Sequence, residues 1–175
     1  MLSLKRYLVN ILVASIPPTR GFGFKRTLWR IAGDRVGTAT SINGGAKVWG
    51  VGRVSVDSGS WLGMNLVVIV PKGAEVTIGA NVDIGPDVLL ECGSHSIGGQ
   101  ERRAGTESAS SIEIGSGTWI GCRATLLGGA RIGSGSVIAA GAMVIAGEYP
   151  ANVVLAGVPA RIVRQLDGSG TQQIS

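Results

Sequence analysis

Side chains able to do chemistry are sparse in this chain, and one stands apart. His95 is the sole histidine, and it falls in "ECGSHSIGGQERRAGTESASS", residues 91–111, a polar segment dotted with glycine. An imidazole that titrates near neutrality can take a proton from a hydroxyl or amine as that group attacks an electrophile. A polar excursion from a rigid scaffold can hold such a ring in a cleft. The plainer reading is an incidental surface histidine. Cys92 and Cys122 have neither CxxC spacing nor the histidine partners of a zinc site, so a disulfide scaffold and a metal centre are both unsupported and a reducing cytosol fits. No GxSxG elbow, HExxH, Walker loop or GxGxxG after a strand occurs, which leaves serine hydrolysis, zinc proteolysis, NTP hydrolysis and dinucleotide chemistry without a motif. Near the C-terminus, "AGVPARIVRQL" puts Pro159 where a helix would begin and spaces Arg161 and Arg164 three apart, on one face of that helix. Residues 168–175 read as a frayed tail.

The elements that must position these residues repeat with a period of six. Val36, Ile42 and Val48 begin the series; after a slip come Val56, Leu62 and Val68, then Ile78, Ile84 and Leu90, and finally Ile114, Ile120, Leu126, Ile132, Ile138 and Val144. A strand alone has period two and a helix 3.6, so a sustained six means a short strand plus a turn, repeated as one unit. Glycine or another small residue directly after many inward positions lets the chain turn where a Cβ would collide or φ must be unusual. Three such sides close a triangular coil of about 18 residues, and stacked coils pair in parallel. This predicts an all-β left-handed parallel β-helix of roughly five coils, against the usual right-handed crossover. A β-sandwich would instead alternate with period two. The expected domains are an N-terminal helical segment, 1–35, the β-helix, 36–158, with an excursion loop over 91–113, and a C-terminal helix and tail, 159–175.

The chain has 175 residues, 45% hydrophobic and 15% charged, enough for one domain with a core. Its charge is uneven. Residues 1–35 set seven basic side chains against Asp34 alone, a net of +6, while the remainder is close to neutral. Leu4, Leu8, Ile11 and Leu12 recur at helical spacing over 2–15, Pro17 and Pro18 stop that helix, and a second one carries Phe24, Leu28 and Ile31 on one side with Gly33 as its C-cap. The opening run lacks a clear cleavage site and is too short to span a bilayer. Two readings stay open for this basic, amphipathic block: a solvated cap on the core, or peripheral association with a membrane interface through residues 1–35. A nucleic-acid-binding domain is not indicated.

Three stretches, "VTIGANVDIGPDVLLECGSH", "IEIGSGTWIGCRATLLGGARIGSGSVIAAGAMV" and "YPANVVLAGVPARIVRQL", resemble in order and spacing the hexapeptide-repeat acyltransferases, particularly the maltose, galactoside and nodulation-factor O-acetyltransferases and the acetyltransferases of exopolysaccharide and O-antigen synthesis. The resemblance runs from about Val36 to Arg164. It implies a homotrimer with acetyl-CoA in clefts between adjacent β-helices and His95 as general base. It also implies that the backbone N–H of Cys122 stabilises the oxyanion, that Ala140 contacts the pantetheine arm, that Arg161 and Arg164 lie near the CoA phosphates, and that Trp119 packs at a subunit boundary. Arg102 and Arg103 match loop arginines that reach a neighbouring cleft to meet acceptor. Ser96 stands where many relatives carry Asp, so orienting His95 falls to a backbone carbonyl or to Glu91, which also borders the acceptor. Ala146, Gly147 and Glu148 replace a Thr-Lys-Asp run that would touch CoA.

The leading expectation is therefore an acetyl-CoA-dependent O-acyltransferase, with no metal, that modifies a sugar or lipid-linked sugar hydroxyl in cell-surface polysaccharide synthesis, in the cytoplasm or at the inner face of the membrane. A serine O-acetyltransferase is the enzymatic alternative. A non-catalytic β-helix serving as scaffold or sugar-nucleotide-binding module is the alternative from another class.

Overall fold

The structure, a computed structural model, describes residues 2–167. The six-residue period folds as three flat walls joined at corners. The first wall stacks Arg35–Val36, Arg53–Val56, Glu75–Ile78, Ile112–Ile114, Ala130–Ile132 and Gly147–Tyr149 in parallel. The second stacks Ser41–Ile42, Trp61–Leu62, Asp83–Ile84, Trp119–Ile120, Val137–Ile138 and Val153–Gly157, and the third Lys47–Trp49, Val67–Ile69, Leu89–Glu91, Thr125–Leu127 and Met143–Val144. Six strands in two walls and five in the other make almost six turns. Sequence spacing suggested about five because the period shortens at Tyr149, which hides the strand at Val153–Gly157.

Every sixth residue points inward and lands on its counterpart in the next turn. Ile42, Leu62, Ile84, Ile120, Ile138 and Leu155 form one such column, and Val48, Val68, Leu90, Leu126 and Val144 another, all essentially removed from water. Each buried Leu, Ile or Val contributes about 1.5–3 kcal/mol against an exposed one, so the columns are the chief source of stability.

The corner between the second and third walls positions later chemistry. Gly85-Pro86-Asp87 and Gly121-Cys122-Arg123 occupy it in successive turns, followed by Ala139-Ala140-Gly141. A Cβ on Gly85 would stand 2.7 Å from the Cys122 nitrogen and one on Gly121 2.5 Å from the Ala140 nitrogen, so close approach of backbone demands glycine directly after the inward residue. The left-handed residue comes two positions later, and Asn65, Asp87 and Arg123 fill it with φ of 57°, 58° and 58°.

At one end sit helices α1 (Leu2–Ser15) and α2 (Phe22–Ile31), over the spans their spacing predicted. Gly33, at φ 98°, ends α2 in a Schellman motif: its N–H donates to Arg30 O, and that of Asp34 donates to Trp29 O. Lys25 donates to the carbonyls of Pro17 and Pro18, each at 2.9 Å, and burial holds its ammonium pKa below the ordinary lysine range. Arg6 of α1 is buried against Asp34 and also donates to Gly50 O at 2.9 Å. Burial pushes the Asp34 carboxyl above its usual range, and the attraction of Arg6 only partly opposes that. Asn10 receives the N–H of Val48 and donates to the carbonyl of Val48, both at 3.1 Å, so its side-chain amide adds one more rung to the third wall.

Two expectations are corrected at the other features. Residues 160–165 form a strand, not a helix: Ala160–Gln165 turns back at Val158-Pro159, whose peptide bond is cis, and pairs antiparallel with Val153–Gly157. The last strand of the second wall has unpaired backbone groups on its outer edge, and the returning segment satisfies them. The excursion over 91–113 is likewise more ordered than a loop. Its ends, Glu91 and Ile112–Glu113, belong to the walls, and between them Gly93–Ile97 pairs antiparallel with Ala104–Ala109 as a projecting arm. The expected tail, 168–175, lies outside the described residues.

Candidate active site

The arm leaves the solenoid at the corner between the third and first walls and carries His95 on its first strand. His95 faces Glu107 across the hairpin, which puts both side chains on one face. Register shifts at Ser96, whose hydroxyl accepts the N–H of Thr106 at 3.0 Å, and the local twist brings Nδ1 of His95 to 3.1 Å from the carbonyl of Gly105. A carbonyl cannot donate, so Nδ1–H donates to it, and in the uncharged tautomer that makes this bond Nε2 is the unprotonated nitrogen. The partner that orients the ring is thus a backbone carbonyl. Glu91 accepts the Gly93 N–H at 2.8 Å instead, which fixes its carboxylate at the end of the third wall.

Around His95 lies a cleft of about 730 Å³ lined by Pro71, Lys72, Glu91, His95, Glu107 and neighbouring arm residues. Lys72 and Glu107 were not singled out from the sequence. The ten residues from Val68 to Ile78, where the period is six, are the sequence signal for the widened corner that carries Lys72, and the pairing of the arm alone brings in Glu107. Arg102 and Arg103 sit at the tip of the arm, outside this lining, with Arg103 donating to Gly98 O at 3.3 Å.

Cys122 and Ala140 lie elsewhere. They share an apolar cleft of about 450 Å³ with Pro86, Trp119, Val137 and Val154, along the second wall and its corner with the third. Trp119, half exposed, projects from that wall. The Cys122 amide donates to no backbone carbonyl among the described residues, and it stacks over Gly85 as the Ala140 amide stacks over Gly121. Val154, within the cleft lining, pairs with Arg164, and Ala156 with Arg161. Residues three apart on a strand ordinarily face opposite ways. The register shift between Val154 and Leu155 absorbs one residue, so Arg161 and Arg164 share the outer face beside the apolar cleft.

The His95 cleft and the Cys122 cleft thus sit at different corners of one chain. The third wall separates them: Thr125–Leu127, whose last residue is the rung on Glu91, runs from the corner at Cys122 to the corner that carries the arm. A reacting carbonyl must lie about 3 Å from both the attacking nucleophile and the oxyanion donor. Among the described residues no group of three or more His, Cys, Asp or Glu is arranged to hold a metal ion.

The family described as bacterial transferase hexapeptide (six repeats) matches residues 111–146, the most regular stretch of the solenoid. Galactoside O-acetyltransferase from Escherichia coli (strain K12) is 40% identical over 53% of this chain and 45% of its own length. Nodulation protein L from Rhizobium leguminosarum bv. viciae is 36% identical over 41% of this chain and 37% of its own. The chain spans about half the length of the curated relatives it matches. Among solved structures, a hexapeptide-repeat acetyltransferase from Vibrio cholerae O1 biovar eltor, complexed with acetyl-CoA, is 25% identical over 95% of this chain and 87% of that one, with a TM-score of 0.70. Repeat, fold and relatives agree: residues 111–146 match the hexapeptide transferase family, and the chain as a whole is similar to hexapeptide-repeat acetyltransferases.

Proposed function

We propose that this chain is an acetyl-CoA-dependent O-acyltransferase that acetylates a sugar hydroxyl in cell-surface polysaccharide synthesis, in the cytoplasm, and that it works as a homotrimer with each site shared between two copies. The observation that carries the catalytic reading is the bond from His95 Nδ1 to Gly105 O, which leaves Nε2 free to act as base in the cleft. The fold match to an acetyl-CoA complex and the relatedness to galactoside O-acetyltransferase support the donor and the acceptor class.

In this mechanism Nε2 takes the proton of the acceptor hydroxyl while its oxygen bonds to the thioester carbonyl carbon. The N–H of Cys122, contributed by the neighbouring copy, receives the oxyanion. Collapse breaks the carbon–sulfur bond, and the departing thiolate takes the proton back from the imidazolium. The pantetheine arm lies in the apolar cleft against Ala140, and Arg161 and Arg164 meet the CoA phosphates. Glu91, Arg102 and Arg103 border the acceptor.

Sharing between copies is supported by the separation of the two clefts and by the arm. A two-stranded hairpin is marginal alone in water, and this one is exposed on both faces, with Ile97 at 90% exposure. A neighbouring subunit would cover it.

The test is thiol release from acetyl-CoA with a panel of sugars, nucleotide sugars and serine. Release that needs both a sugar and His95, falling about 10²- to 10⁴-fold in His95→Ala, supports the reading. Release with serine alone would replace the acceptor class, and CoA binding without turnover on any acceptor would favour a non-catalytic module.

A further inference from the structure

Helix α1 is built inside out. Toward the solenoid it turns Arg6, Val9, Asn10 and Val13, all buried. Outward it turns Leu4, Tyr7, Leu8, Ile11 and Leu12, which are 47–63% exposed. Those five follow i, i+3, i+4, i+7, i+8 and so form one continuous apolar stripe. The inward polar groups are not accidents of packing, since Arg6 has Asp34 and Gly50 O, and Asn10 has both backbone groups of Val48. The helix is anchored by polar contacts, which leaves its oily face for another surface. Phe24 and Ile31 of α2 are exposed in the same way, at 57% and 59%.

Charge identifies that surface. Lys5 borders the stripe, and Arg20, Arg30 and Arg35 are exposed nearby in the chain. Asp34 is the only carboxylate in residues 1–35, and it is buried against Arg6. Residues 1–35 therefore show positive charge with no exposed negative charge of their own. A second copy of the same end would bring like charges together, whereas an anionic bilayer matches the oil and the charge at once. At 14 residues α1 is about 21 Å long, less than the roughly 30 Å of a hydrocarbon core. No helix among the described residues is long and apolar enough to cross a membrane.

We infer that α1 is a docking element for anionic phospholipid: it lies flat in the interface with Leu4, Tyr7, Leu8, Ile11 and Leu12 at the acyl boundary and Lys5 and Arg20 at the headgroups. The inference stands independently of acyl transfer. It makes the end of the solenoid, and not the arm, the part of the molecule that meets the bilayer.

Flotation of the full chain with vesicles tests it. Binding is expected to phosphatidylcholine vesicles containing about a third phosphatidylglycerol, and to be at least about tenfold weaker to pure phosphatidylcholine or in about 1 M salt. Leu8→Ser with Ile11→Ser should lower partitioning at least about tenfold with an unchanged melting temperature, because neither side chain packs on the core. Lys5→Glu with Arg20→Glu should abolish the preference for the anionic vesicles, and reads the same surface if the serine variant fails to fold. Wild type that does not float with the anionic vesicles, or folded variants that float as well as wild type, would overturn the inference. So would a wild type that ignores vesicles but changes oligomeric size when the stripe is substituted, since the stripe would then seal contacts between copies.

Discussion

At the scale of single residues, the ring of His95 is held by a backbone carbonyl, a partner that no substitution of a neighbouring side chain removes directly. The hydroxyl of Ser96, bonded to the Thr106 N–H, helps set the register that brings Gly105 O to the ring. Ser96→Ala is expected to lower kcat by about tenfold or less while leaving KM for acetyl-CoA unchanged, as steady-state rates would show. Cys122 offers a sharper experiment. Pro86 fills the equivalent corner position one turn away, so this corner accepts proline, which has no N–H. Cys122→Pro should therefore fold and lose about 10²- to 10³-fold in kcat, whereas Cys122→Ala should stay within a few fold of wild type. Cys92 behaves differently: burial, with Glu91 adding to it, pushes its thiol up to about 11. Because that value is above the ordinary one, its contribution to stability is intact below pH 9 and is lost as pH rises through 11. Cys92→Ala should remove this part of the alkaline loss in denaturant midpoints taken from pH 8 to 11. His95 was legible as the one candidate base because it is unique and sits where the repeat breaks. Of the two orienters the sequence left open, a backbone carbonyl and Glu91, the ring meets the carbonyl; that it belongs to Gly105, ten residues away, was not legible, since it comes into reach only through pairing of the arm.

At the scale of elements, the walls were legible because a period of six admits few structures, and the inward columns follow the sequence almost residue by residue. The C-terminal segment was not. Pro159 and two arginines three apart fit a helix start, but the deciding influence was the open edge of Val153–Gly157, a tertiary feature invisible in local spacing. The two arginines still share a face, through a register shift instead of a helical turn. Arg161→Ala and Arg164→Ala are each expected to raise KM for acetyl-CoA about tenfold with little change in kcat, and the pair more than either alone. The helices were legible in extent but not in orientation, because the stripe that marks α1 as amphipathic points away from the core. Its buried ion pair predicts an asymmetry: Asp34→Ala, which strands Arg6 in the interior, should cost about 3–5 kcal/mol in denaturant unfolding, while replacing both partners by apolar residues should recover much of that.

At the scale of the whole molecule, the two clefts at different corners make a distinctive demand. If each site takes His95 from one copy and the Cys122 amide from the next, two dead variants can rescue one another. His95→Ala and Cys122→Pro, denatured together and refolded as a mixture, should regain up to about a quarter of wild-type activity, the share of clefts that receive both intact residues by chance. Mixed without refolding, they should stay inactive, and a site complete within one chain would show no rescue either way.

The amide of Asn10 on Val48 carries one last consequence. It stands where another strand would add to the third wall, and it occupies both of the hydrogen-bonding groups through which such a strand would add. Cutting α1 away to ask what the helix does would bare that rung, and a bare parallel edge is a template for growth by further chains. The shortened protein would then be drawn toward head-to-tail filaments, and its loss from a supernatant would report polymerisation, not affinity for lipid. The stopper and the anchor are the same helix, separable only by changing its outward side chains and leaving Asn10 in place.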